Sequence, residues 1–97
     1  MKIRTGRGML NERVQAASKL FFGREISIRE LRLIPYIQYV MTNERKLDPN
    51  KVNSDERKIL RVWKDEGHIE GGACGLSITK AFWDYTSEIL FYSYVDY

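Results

Sequence analysis

The first hydrophobic repeat lies near the N-terminus and predicts a helix over residues 9–22. Its apolar side chains recur every three or four positions, as one face of a helix requires: Leu10, Val14, Ala17 and Phe21. Asn11 is a candidate cap, because its side-chain oxygen can accept a hydrogen bond from a free N–H of the first turn. Gly23 is the expected end, since glycine adopts the left-handed conformation that often closes a helix.

A second helix is predicted to begin at Ile28. The hydroxyl of Ser27 can accept from the N–H of Glu30, and the carboxylate of Glu30 can reach back, which makes a capping box. Pro35 interrupts the pattern, because it has no N–H to donate and its ring crowds the preceding turn. Two alternatives follow: a kink at Pro35, or a short helix ending near Leu33 and a second one beginning at Pro35. The stretch is apolar on most sides, so we expect it to form the buried centre.

The clearest start and stop signals enclose residues 54–66. Asn53 or Ser54 can cap this third helix, and Gly67 can end it. One side is apolar and is expected to face the core: Ile59, Leu60 and Trp63. Another side is basic, with its members three or four positions apart: Arg57, Arg61 and Lys64. Lys58 is a further cation of this helix.

Two short extended segments follow, at residues 68–70 and 76–78, and the glycines between them permit a tight turn. Thr79 can then cap a last helix over roughly 80–94, which with residues 95–97 holds seven of the twelve aromatic residues. The predicted fold is mainly α, with four to five helices and at most one small, wing-like β-hairpin around 68–78.

Length and charge place these elements in one small domain. Ninety-seven residues predict a single domain, 1–97, in which residues 1–8 form a basic N-terminal arm. The net charge is +3, yet residues 1–24 alone hold six basic groups against one acidic group. This asymmetry favours either an arm that contacts nucleic acid through Arg4 and Arg7, or a solvated tail that aids solubility.

The composition offers little for catalysis or metal binding. His68 and Cys74 are the soft ligands of the chain, whereas a zinc site usually needs three or four protein ligands. His68 is expected to be a surface residue just past a helix end, and Cys74 a small thiol. We therefore expect no enzyme activity, no cofactor and no metal. One cysteine and the lack of a long apolar run favour a cytoplasmic protein that does not cross a membrane.

The order of elements after residue 53 resembles the latter half of winged-helix DNA-binding domains, over about residues 54–94. In that fold a recognition helix is followed by a two-stranded wing and often by a dimerising C-terminal helix. The resemblance implies that four cations of the third helix meet phosphates or bases, and that the basic arm reaches a groove. Those four are Arg57, Lys58, Arg61 and Lys64. Acidic residues at both ends of this helix count against the interpretation, and Arg61 with Asp65 has the spacing of an ordinary ion pair.

The rival hypothesis is a protein-interaction module, such as an adaptor or inhibitor of the kind that mobile elements encode. The last helix carries more aromatic surface than one side of a small domain buries. It therefore suggests a homodimer or another protein partner. The candidate interface residues are Trp83, Leu90, Phe91, Tyr94 and Tyr97. The function predicted first is a small regulatory or accessory protein, homodimeric through this helix, that contacts nucleic acid through the basic helix and the arm.

Overall fold

Local capping signals set where the helices begin and end. The computed structural model describes residues 8–44, 46–47, 49–72 and 75–96. These form four α-helices and a two-stranded hairpin, in the order α1 Glu12–Phe22, α2 Ile28–Tyr39, α3 Ser54–Asp65, β1 Ile69–Gly72, β2 Gly75–Ile78 and α4 Lys80–Leu90. A π-helical turn continues α2 over Val40–Glu44 and α4 over Phe91–Val95, and a 3-10 turn spans Pro49–Lys51. The predicted mainly α fold with one small hairpin is confirmed.

Helix α1 has the predicted cap and the predicted end. Asn11 Oδ1 accepts from the N–H of Val14 at 2.9 Å. Gly23 adopts φ +78°, and its N–H donates to the carbonyl of Lys19 at 2.9 Å. Both contacts satisfy backbone groups that would otherwise lack a partner at a helix terminus.

Helix α2 runs through Pro35 without a break. Its capping box is formed, with Ser27 Oγ accepting from the N–H of Glu30 at 3.2 Å and Glu30 Oε1 accepting from the N–H of Ser27 at 3.2 Å. The alternative of two short helices is therefore wrong. Proline removes only one helical hydrogen bond, and the buried apolar face of α2 holds the segment together on both sides of it.

The core lies where α2 meets the other helices. Four residues of α2 are no more than 1% exposed, and they are Leu31, Leu33, Ile34 and Ile37. Trp63 of α3 and Phe82 of α4 are fully buried and meet edge to face, with ring centroids 5.2 Å apart. The prediction that α2 forms the buried centre is confirmed.

The hairpin is a short antiparallel pair in which Ile69 lies opposite Ile78 and Gly72 opposite Gly75. Gly71 has φ +84°, and a side chain there would collide with the carbonyl oxygen of Gly75. The segment before α3 joins the hairpin, because the N–H of Leu47 donates to the carbonyl of Gly72 at 3.0 Å. The end of β1 is thereby fixed next to the chain that leads into α3.

The described N-terminal residues are fastened to the end of α4. Gly8 donates its N–H to the carbonyl of Ser93 at 2.8 Å, and Asn11 Nδ2 donates to the carbonyl of Tyr92 at 2.9 Å. These contacts satisfy carbonyls of the π-helical turn at a helix C-terminus. Residue 8, where the predicted basic arm ends, therefore lies at the C-terminal end of α4.

Candidate nucleic-acid interface

Helix α3 presents one apolar side to the core and one basic side to solvent. Leu60 and Trp63 are buried, at 5% and 0% exposure, and Ile59 is half-buried. At 3.6 residues per turn the opposite side must face outward. That outward side carries four exposed cations, here called the basic face: Arg57, Lys58, Arg61 and Lys64.

Five cations on other parts of the described surface pair with carboxylates. Five ion pairs join a basic nitrogen to an acidic oxygen: Arg13–Asp96 at 2.9 Å, Lys19–Glu25 at 3.4 Å, Arg24–Glu30 at 3.0 Å, Arg29–Asp55 at 3.6 Å and Lys80–Asp84 at 3.0 Å. The hydrogen bond to Glu30 raises the pKa of Arg24 above its ordinary value, although burial acts against it.

Three members of the basic face differ from these five cations. Within the described part of the chain, no carboxylate oxygen lies within 4.0 Å of the side-chain nitrogens of Lys58, Arg61 or Lys64. The expected pair of Arg61 with Asp65 is not formed. An exposed i,i+4 pair contributes only a few tenths of a kcal/mol, so the spacing alone does not enforce the contact.

Two of the three acidic residues of α3, Asp55 and Glu56, are held by other partners, which weakens the main objection from the sequence. Asp55 pairs with Arg29 of α2. Glu56 Oε1 accepts from the N–H of Asn53 at 3.0 Å as part of the capping box. Glu66, which follows α3, lies 3.6 Å from the imidazole Nε2 of His68. The carboxylates of Asp55 and Glu56 are therefore held at the N-terminal end of α3, whereas Asp65 is exposed one turn after Arg61.

The end of the hairpin lies beside the basic face. A Cβ added to Gly72 would stand 3.5 Å from Lys64 Nζ and 3.6 Å from Leu47 Cδ1. The ammonium group of Lys64 thus lies over the end of β1.

His68 is not a surface residue, so that expectation is wrong. Gly67 adopts φ +83° and turns the chain back toward α4. The imidazole stacks on Phe82, with centroids 5.3 Å apart and planes at 13°, and its centroid lies 4.9 Å from that of Phe21. No local sequence signal marks this position, because its aromatic neighbours come from α1 and α4.

The candidate interface residues of the last helix are partly covered by the chain itself. Trp83, Leu90 and Tyr94 are half-buried, whereas Phe91 is 47% exposed. The ring of Tyr94 lies against Gly8, where an added Cβ would be 3.0 Å from its Cε1 atom. Four of the residues singled out from the sequence lie outside the described residues, and they are Arg4, Arg7, Cys74 and Tyr97.

The sequence pattern missed an exposed aromatic residue, Tyr39, at the end of α2. Its side chain is 46% exposed, although the surrounding stretch is the most buried part of the fold. The available signal was its position seven residues after Arg32, which places both on the same side of α2.

The described residues contain no group of three or more His, Cys, Asp or Glu side chains placed to hold a metal ion. None of the helices among them has both the length and the apolar character needed to cross a bilayer. Comparison of the chain with protein-family models, curated proteins and solved structures finds no significant match.

Proposed function

We propose that this protein is a small, non-enzymatic regulatory or accessory protein that contacts nucleic acid through the basic face of α3. The observation that carries the proposal is the contrast in charge pairing. Five cations on other surfaces have a carboxylate partner, whereas Lys58, Arg61 and Lys64 have none within 4.0 Å among the described residues. A row of uncompensated cations on one helix face suits a polyanion with regularly spaced charges, and a nucleic-acid backbone is such a ligand.

The position of the hairpin supports the same proposal. In the winged-helix arrangement that the order of elements resembles, the wing lies beside the recognition helix. Here Lys64 Nζ lies beside Gly72 at the end of β1. The hydrogen bond from Leu47 to Gly72 holds the chain that leads into α3 against the end of β1. A nucleic-acid backbone held against Lys64 would then lie next to the end of β1 as well. Arg4 and Arg7 remain expected contributors from the arm.

The proposal predicts binding that weakens steeply with salt. Each phosphate neutralised on a duplex contributes about −0.9 to the slope of log K against log salt. Fluorescence anisotropy with a labelled duplex, titrated at about 50 mM and about 200 mM salt, measures that slope. The double variant Arg61→Ala/Lys64→Ala is expected to lower the affinity at low salt and to reduce the slope by about two.

A matched control is available in Lys19→Ala/Lys80→Ala. It removes the same net charge from exposed helix positions, but both lysines already pair with a carboxylate. It should therefore change the slope much less than the α3 variant does. If the two double variants change the slope equally, binding depends only on net charge and α3 is not the binding site. Absence of duplex binding at low salt would remove the proposal for duplex nucleic acid.

A protein-interaction module is the second candidate, favoured by exposed apolar side chains at the end of α4. Phe91 is 47% exposed and Val95 is 70% exposed, and they are neighbours one turn apart. Sedimentation velocity over a range of concentrations, on the wild type and on Phe91→Ser/Val95→Ser, tests a homodimer through this end. A wild-type chain that stays monomeric at all concentrations contradicts the dimer.

A further inference from the structure

A second surface on the described chain combines an aromatic ring with cations. Tyr39 is 46% exposed at the end of α2, and Lys51 Nζ lies 5.9 Å from the centroid of its ring. A single exposed aromatic residue is ordinary on a protein surface. Tyr39 differs from such a residue, because Lys51 lies beside its ring and the basic helix α3 adjoins it.

The outward seam between α2 and α3 is basic. The ion pair Arg29–Asp55 crosses this seam, and both its side chains are more than half exposed. Arg32 lies one turn after Arg29 on α2, and Lys58 lies one turn after Asp55 on α3. Both are exposed, and neither has a carboxylate within 4.0 Å among the described residues. The seam therefore holds one ion pair and, one turn away on each helix, a cation that has no carboxylate partner among the described residues.

The seam continues into the basic face of α3. Lys58 and Arg61 are three residues apart and are neighbours on the helix surface. Val62, four residues after Lys58, leaves 44% of its side chain exposed on the seam side. One extended ligand could thus cross from Tyr39 over the seam to Arg61.

We propose that this seam binds single-stranded nucleic acid, with an unpaired base stacked on Tyr39 and phosphates held by Arg32, Lys51 and Lys58. This proposal rests on the proposed function, since it requires a nucleic acid as ligand. It adds that the seam prefers a single strand to a duplex. Bases inside a duplex are stacked on their neighbours, so their faces do not reach a side chain, whereas every unpaired base offers one. The three cations give this surface a positive charge, which suits a polyanion.

The test compares three labelled probes by fluorescence anisotropy at low salt. They are an oligothymidine and an oligouridine of about 12 nucleotides, within the span that small single-strand-binding domains cover, and a duplex of equal length. Tyr39→Ala is expected to weaken binding of the single strands roughly fivefold to a hundredfold, which is a stacking free energy of about 1–3 kcal/mol converted to affinity. Duplex binding should stay unchanged. Tyr39→Phe keeps the ring and should retain wild-type affinity, as should Leu20→Ala, which removes an exposed apolar side chain from α1.

Each outcome decides between the seam and the basic face. Unchanged single-strand affinity in Tyr39→Ala overturns the seam, as does an equal loss on the duplex. A loss confined to one of the two single strands supports the seam and identifies the sugar that it accepts. If Arg61→Ala/Lys64→Ala weakens binding while Tyr39→Ala does not, the seam fails and the proposed function stands. If no probe binds the wild type at low salt, both are overturned. Thermal unfolding of Tyr39→Ala, monitored by circular dichroism, excludes loss of folding as the cause.

Discussion

The phenol of Tyr85 is buried between α4 and α1 and should make the fold sensitive to alkaline pH. The residue is 4% exposed, its hydroxyl lies 2.7 Å from Ser18 Oγ, and its ring stacks on Phe21 with centroids 4.6 Å apart. Burial raises the pKa of Tyr85 from its ordinary value of 10.0 to about 12, while the hydrogen bond with Ser18 acts in the opposite direction. Burial dominates because a phenolate loses its hydration inside the core.

The size of the effect follows from that shift in pKa. The neutral phenol is favoured in the folded state, so the contribution of Tyr85 is fully present below pH 10 and is lost as the pH rises toward 12. Each pKa unit corresponds to about 1.4 kcal/mol. The unfolded chain ionises first, so the free energy of unfolding should fall by about 1.4 kcal/mol at pH 11. The full loss of about 2.7 kcal/mol should be reached above pH 12.

The variant Tyr85→Phe isolates this contribution from other groups that titrate at high pH. Ser18 Oγ also donates to the carbonyl of Val14 at 2.8 Å, so its hydroxyl group keeps a partner in the variant. We therefore expect a loss of only about 0.5–1.5 kcal/mol at neutral pH, the usual net value of one hydrogen bond. Urea unfolding at several pH values, followed by the fluorescence of Trp63 and Trp83, gives both numbers.

Two results would refute this reasoning. The wild type and Tyr85→Phe could lose stability in parallel between pH 10 and 12, which would mean that the phenol is not the sensitive group. Alternatively, all tyrosines of the folded protein could ionise together near pH 10 in an ultraviolet titration. In that case the burial of Tyr85 would not shift its pKa.

Two further predictions concern local structure, and urea unfolding midpoints measure both. Gly71→Ala should destabilise the fold by more than Gly67→Ala. Both sites have positive φ, which costs a side chain about 1–2 kcal/mol, but only the side chain at position 71 would also collide with the carbonyl of Gly75. Equal losses of stability in the two variants would contradict the collision. Glu30→Ala should cost about 1–3 kcal/mol, because it removes both the capping-box bond to Ser27 and the ion pair with Arg24. Glu30→Gln keeps an acceptor for the N–H of Ser27 and should cost less. If the glutamine variant loses as much, the ion pair rather than the cap is what stabilises α2.

Most of the fold could be predicted because its boundaries are local. The cap of α1 at Asn11, the capping box at Ser27 and the end of α3 before Gly67 each depend on contacts within about four residues. Periodicity likewise predicted that Leu60 and Trp63 would be buried. The sequence did not decide whether the helix continues through Pro35, because local rules account for the lost hydrogen bond but not for the core that α2 fills.

The candidate sites were less predictable, because a basic residue in a sequence does not reveal its partners. The segment 54–66 contains as many acids as bases, and only the fold turns Asp55 toward Arg29 and leaves Arg61 without a carboxylate partner among the described residues. His68 was misjudged for the same reason, since Phe21 and Phe82 are far from it in sequence.

By itself the sequence determined where the helices start and stop, that a glycine-rich hairpin lies between the last two, and which cations share a face of α3. Those properties follow from contacts between residues one helical turn apart. The tertiary structure alone decided which charges are neutralised and which rings are covered. Arg13 and Asp96, for example, are separated by 83 positions and still form an ion pair. The exposed seam at Tyr39 is likewise created by two helices that meet only in the folded chain.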